Sequence, residues 1–301
     1  MSRWIRRLGI ALGSLVVLVV AFAGFVYAAS NSKVDKVYDV PVKPLTVNLD
    51  SATIERGKHF ATSIGKCVDC HGEDFGGLTF INDPAFGVVA GSNLTTGTGG
   101  ILATYSNDEL ERAIRHGIKR DGRGALIMPS EQYQAFTDED LGAVIAYLRS
   151  LPPVNRTTDK VALGAVGRAL LATGQLPLFA VDIINHKATH PASITADTTL
   201  EYGRYIGTVG GCNGCHGPEL SGGPIPGMPP EATPAANLTP TGIGQYSDAQ
   251  LEAILRTGVR PDGSKLGVWM PWKYTAMMTP VEMTATIKYL RSAPPKEYGG
   301  R

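Results

Sequence analysis

All four cysteines of this 301-residue chain fall in two short stretches. Cys67-Val68-Asp69-Cys70-His71 recurs as Cys212-Asn213-Gly214-Cys215-His216. Cys-x-x-Cys-His is the attachment pattern of a c-type haem. Each sulfur adds to one vinyl group of the porphyrin, and the adjoining imidazole becomes the proximal iron ligand. Two intervening residues keep both thioethers on one edge of the ring and deliver the histidine to the iron. This reading assigns Cys67, Cys70, Cys212 and Cys215 to two covalently attached haem c groups, and His71 and His216 to their irons. A thioredoxin-like dithiol would want its cysteines in a βαβ pattern, which is not visible here. Zinc is the remaining rival, but it needs four converging ligands, and each motif sits in its own copy of a repeat. Disulfides would leave the histidines without a role.

The sixth iron ligand must come from elsewhere. Met128-Pro129 follows the first motif at nearly the distance at which Met270-Pro271 follows the second. A thioether suits a low-spin haem iron, and Met/His ligation raises its reduction potential. Met128 and Met270 are therefore the expected distal ligands. Met228, Met277, Met278 and Met283 have no counterpart in the first copy and read as core or surface residues. Histidine is the alternative. His59 aligns with Tyr205 and His116 with Thr257, so neither recurs, and His116 reads as partly exposed. His186 and His190 lie between the copies and read as surface residues.

Composition and charge are those of an ordinary globular protein of about two domains. A formal net charge of +1 argues against nucleic acid as a partner. Residues 52–154 are net acidic and residues 197–301 balanced, so a basic partner surface would favour the first copy. Arg3, Arg6 and Arg7 precede an uncharged run from Leu8 to Ala29, about 22 residues and long enough to cross a bilayer as a helix. The positive-inside rule keeps the arginines cytoplasmic and exports the rest. A retained anchor over residues 1–30 is the first reading. A signal peptide cleaved near Val26-Tyr27-Ala28 is the second. Either way, the expected address is the cytoplasmic membrane, single-pass, with both haem domains in the periplasm or outside the cell. Residues 31–50 read as an extended tether lifting the first domain off the membrane, or in part as an edge strand.

The repeat spans 51–154 and 197–301. Each copy opens with a short helix marked by Ile54, Gly57 and Phe60, or by Leu200, Gly203 and Ile206. A glycine-rich loop follows the motif, then Asn93-Leu94-Thr95 or Asn237-Leu238-Thr239. Capping boxes at Ser106–Glu109 and Ser247–Gln250 start apolar stripes. Last come helices capped by Thr137 and Thr279 and stopped by Pro152-Pro153 and Pro294-Pro295. A repeat this long means two copies of one domain.

Helix, Cys-x-x-Cys-His, loops, Met-Pro and a terminal Tyr-Leu-Arg helix together resemble the class I cytochrome c fold. The resemblance implies a mainly α chain: an N-terminal transmembrane helix, then two tandem class I cytochrome c domains. It also implies that first and last helices cross at the glycine against an aromatic residue, here Tyr147 and Tyr289. The Asn-Leu-Thr and Tyr-Ser-Asp segments are similar to the cytochrome subunits of periplasmic alcohol and gluconate dehydrogenases. Those usually carry three haem motifs, whereas this chain has two. The linker, 155–196, holds a short helix around Leu163–Leu171 and an apolar patch from Leu176 to Ile184. That patch packs between the domains, or else meets a membrane partner.

The function expected from this set is electron transfer, not catalysis. Two Met/His haems would pass electrons from a donor dehydrogenase or respiratory complex to an oxidase or small cytochrome. The alternative is a dihaem peroxidase-type enzyme, which would need one haem with an open or exchangeable distal site.

Overall fold

A computed structural model of the chain describes residues 3–228 and 231–300. Helix α1, Arg3–Val34, is long and apolar enough to cross a bilayer and stands almost wholly exposed. The first domain comprises α2 (Ser51–His59), a π-helical turn (Phe60–Ile64), α3 (Val68–His71), β1 (Leu78–Asp83), β2 (Gly87–Gly91), α4 (Asn107–His116), α5 (Ser130–Tyr133) and α6 (Asp138–Ser150). The connecting segment contributes β3 (Ala162–Leu163) and α7 (Ala165–Thr173). The second domain comprises α8 (Leu200–Val209), α9 (Cys212–His216), α10 (Pro240–Ile243), α11 (Asp248–Thr257), α12 (Trp272–Thr275) and α13 (Pro280–Ser292).

Helix starts follow their caps. Ser106 and Ser247 complete capping boxes with Glu109 and Gln250, and Thr279 does so with Glu282. Thr137 caps α6 by accepting from the Asp140 amide at 3.1 Å. Each such cap satisfies an amide that the first helical turn leaves without a partner. The first and last helices of each domain cross where the glycine pattern indicates. A Cβ on Gly57 would run into the Ala143 carbonyl and Tyr147, and one on Gly203 into the Ala285 carbonyl and Tyr289. Apolar faces of the π-helical turn, α4 and α6, and of α8, α11 and α13, merge into one core that runs through both domains.

Three features depart from the sequence reading. First, β1, β2 and β3 form an antiparallel sheet in the first domain, its third strand supplied by the linker. Second, residues 35–49 are extended but lie against the first domain rather than holding it off. Leu45 and Val47 join the main core, and Tyr38 and Val40 a second one. Third, the apolar linker patch does not fill the space between the domains. Leu178, Phe179 and Val181 build that second core with Ile118, Leu171 and the end of α1 at Val34. Lys33 Nζ donates to the Leu171 carbonyl at 2.8 Å. Arg168 reaches Ser30 Oγ at 2.9 Å and Asn31 Oδ1 at 2.7 Å, and lies over the Tyr27 ring. The linker thus binds the C-terminal end of α1 to the back of the first domain.

Candidate haem sites

Each Cys-x-x-Cys-His forms a single helical turn, α3 or α9, that ends at a glycine with positive φ, Gly72 or Gly217. The turn carries both cysteines and the histidine together, as covalent attachment to one porphyrin edge requires. Burial pushes the Cys67 thiol up to about 12 and Cys70 to about 11. Cys212 is raised for the same reason. These are not the activated thiolates of a redox dithiol, whose values lie below the ordinary cysteine range. Among the described residues, no three His, Cys, Asp or Glu side chains gather as a metal ion bound by them alone would require.

Both imidazoles are oriented in the same way. His71 Nδ1 lies 2.8 Å from the Ser92 carbonyl, and His216 Nδ1 lies 2.7 Å from the Ala236 carbonyl. A carbonyl only accepts, so Nδ1 carries the proton and Nε2 is the nitrogen with a lone pair for iron. Burial lowers His71 from the ordinary histidine range, favouring the neutral form that a metal needs.

Those carbonyls are themselves held. Ser92 and Ala236 immediately precede the two Asn-Leu-Thr segments. Asn93 Nδ2 donates to the Val154 carbonyl at 2.7 Å and to the Arg156 carbonyl at 3.0 Å, while its Oδ1 accepts from Thr95. Asn237 repeats this with the Lys296 carbonyl and Thr239. The motif ties the histidine-facing loop to the strand of chain leaving the last helix. The recurrence of Asn-Leu-Thr was its only trace in the sequence, since any residue can offer a carbonyl.

Met128 is half-buried against the main core, and Met270 is half-buried in the equivalent loop. Pro129 and Pro271 follow them as N-caps of α5 and α12. Their outer faces differ. Over the first loop lies the linker: Ile127 donates to the Leu178 carbonyl at 2.8 Å, Leu126 bridges Phe179, and Ile118 is 0 % exposed. In the second, the equivalent Val259 is 37 % exposed and Val268, Trp269 and Trp272 face outward. Met278 and Met283 are core residues, and Met277 is exposed.

The histidines outside the motifs have other roles. His59 pairs with Glu282 of the second domain. His116 is buried rather than partly exposed, and His186 and His190 are half-buried against it rather than surface residues, because the linker folds back over α4. His186 Nε2 donates to the Val181 carbonyl at 2.9 Å, so its Nδ1 accepts from His116 Nδ1 at 3.0 Å.

The two motifs meet at the domain boundary through reciprocal contacts. Gln132 on α5 packs on the second attachment loop, where a Cβ at Gly211 or Gly214 would collide with it. Tyr274, its counterpart on α12, hydrogen-bonds through its hydroxyl to Asp69 in the first attachment loop. Lys273 joins Asp69 at 3.3 Å, and Ser63 Oγ donates to the Tyr274 carbonyl at 3.3 Å. Each Met-Pro helix therefore sits on the other domain's haem-attachment turn.

Donor chemistry, imidazole orientation and the paired attachment turns all fit c-type haem. Residues 52–148 match the family described as cytochrome C oxidase, cbb3-type, subunit III, and residues 201–294 match cytochrome c. The chain is 27 % identical over 277 residues to an alcohol dehydrogenase (quinone), cytochrome c subunit, from Gluconacetobacter polyoxogenes, covering 83 % of this chain and 58 % of that protein. It is 28 % identical over 280 residues to a gluconate 2-dehydrogenase cytochrome c subunit from Pantoea cypripedii, covering 82 % and 61 %. The chain thus spans roughly three-fifths of the length of these relatives. Cytochrome c-554(548) of Halomonas halodenitrificans is 37 % identical over 87 residues, which cover 29 % of this chain and 86 % of that protein. This chain belongs to the cytochrome c family, as two cytochrome c domains in tandem, each carrying a covalently bound haem c.

Proposed function

We propose that this protein is a membrane-anchored electron relay, with its two haem domains at 51–154 and 197–301. It takes electrons from a dehydrogenase or respiratory complex and passes them to an oxidase or small cytochrome outside the cytoplasm. The observation that carries this reading is the reciprocal seating of the two Met-Pro helices on opposite attachment turns, which joins two redox sites in one unit. When bound, the haems supply a one-electron iron couple. The chain's own residues do the rest. Cys67, Cys70, Cys212 and Cys215 attach the groups. His71 and His216 present Nε2, held by the Ser92 and Ala236 carbonyls. Met128 and Met270 would offer thioethers to the two irons and raise their potentials. The relatives support a dehydrogenase as donor, since two of those named are cytochrome subunits of alcohol and gluconate dehydrogenases. They give no support to a peroxidase.

Retention of α1 as the anchor is supported by contacts that lie before the cleavage point: Val26 is buried, and Arg168 lies over the Tyr27 ring. Cleavage near Ala28 would remove the Tyr27 ring from under Arg168. Intact mass of the membrane-extracted protein checks this, and a mature chain beginning after Ala28 would refute it. The relay itself is tested in membranes containing the full chain. Adding an alcohol or sugar acid oxidised by a co-resident dehydrogenase should reduce both haems, and a soluble cytochrome should reoxidise them. Reduction by dithionite alone would sink the reading.

A further inference from the structure

The residue before each first cysteine adopts left-handed backbone. In the second domain it is Gly211, with φ +73°, which glycine tolerates without strain. In the first it is Lys66, with φ +52°, a conformation that L side chains avoid. Strained backbone persists where the surroundings hold it in place, and at Lys66 the side chain identifies what holds it. Its ammonium crosses the domain boundary and donates to the Gly210 carbonyl at 2.5 Å, and also to the Ile64 carbonyl at 3.3 Å. Gly210 is the C-cap of α8, where the helix dipole favours a cation, and it lies two residues before Cys212. Lys66 itself adjoins Cys67. Burial lowers this lysine from its ordinary value, while the two carbonyls it donates to favour its charged form. Asp69 also acts on it, but that carboxylate is already engaged by Lys273 and Tyr274. A single positive charge therefore lies beside both attachment turns, in a partly buried place where water screens it poorly.

We propose that Lys66 is a shared electrostatic clamp: one cation, held between the two haem-attachment turns, that raises the reduction potential of both haems together. A nearby positive charge favours the reduced iron, which carries one positive charge fewer. This rests on the dihaem relay reading but adds a residue and a direction to it. The symmetry of the domains does not supply this device, because the equivalent position in the second copy is glycine.

A spectroelectrochemical titration of the full dihaem protein resolves two midpoint potentials. Lys66→Met should move both to lower values, and Lys66→Arg should leave both near the wild type. Lys66→Gly gives the first turn the residue its partner already has, so it relieves the backbone and should still lower both potentials. The proposal is overturned if Lys66→Met or Lys66→Gly retains two haems and moves one potential or neither. It is also overturned if both variants lose haem, since a clamp acting on potential is not required for attachment. A purely structural lysine would change the melting temperature and leave the potentials in place. The relay reading fails separately, on a wild-type protein whose haems do not exchange electrons with a donor and an acceptor.

Discussion

His59 presents Nε2 at 2.9 Å to both carboxylate oxygens of Glu282, across the boundary between the two haem domains. Its aligned residue, Tyr205, donates its hydroxyl to Asp140 at 2.5 Å across the same boundary in the opposite sense. Asp140 and Glu282 occupy the same position in α6 and α13, three residues after the capping threonine. Each of these acids therefore serves a helix start and the other domain together. Asp140 also accepts from Arg56 Nε at 2.5 Å. The two copies are related by exchanged contacts, and His59 is used for docking rather than for iron.

Removing Glu282 should loosen this boundary. Burial, the largest single effect, would raise its carboxyl, but the hydrogen bond and charge of His59 and the hydrogen bonds from Thr279 together outweigh it, and the net direction is down. A carboxylate lowered in the fold stabilises it above the unfolded value near 4.5, and that contribution is lost as pH falls through the folded value. Glu282→Gln should cost about 1–3 kcal/mol at neutral pH, and the deficit should shrink in acid. Thermal melts of the variant and the wild type at several pH values check both parts.

The histidine cluster on α4 gives a second pH dependence. Burial, then His186, His190 and Arg115, lower His116 to about 4, and Glu111 faces it at 3.9 Å. The unfolded chain takes up this proton near 6.5 and the folded chain only near 4. Stability should therefore fall as pH drops from about 6.5 to about 4, by on the order of 3 kcal/mol. Denaturant melts of His116→Phe against wild type should show a flatter profile over that window.

Distal ligation is tested by single thioether deletions. Met128→Ala should abolish the methionine-to-iron absorption band of one haem, lower its potential and leave the other haem unchanged. Met270→Ala should do the reverse. An unaltered band in either variant would show that the ligand is another residue.

Asn93→Ala should weaken the first site without touching a ligand. The side chain is fully buried and makes four hydrogen bonds that hold the loop carrying the Ser92 carbonyl. We expect a loss of roughly 2–3 kcal/mol of stability. A loosened His71 orientation should also shift that haem's potential, read by redox titration. Asn237→Ala should act on the second haem alone.

The sequence by itself determined whatever is written in local spacing: the Cys-x-x-Cys-His turns, the repeat, and the Ser and Thr caps, while the crossings at Gly57 and Gly203 followed from the resemblance to class I cytochrome c. A cap or a turn involves residues three or four apart, so the pattern survives without knowledge of the fold. The sheet of β1, β2 and β3 was not legible, because its third strand comes from a segment about seventy residues away, and strand pairing leaves little trace in either partner alone. The same holds for the linker that covers Ile118 and buries His116, and for the carbonyls of Ser92 and Ala236. Only the tertiary structure brought Lys66 to Gly210, Tyr274 to Asp69 and His59 to Glu282. Each pair joins residues far apart in the chain, and no periodicity encodes which faces of two similar domains will meet.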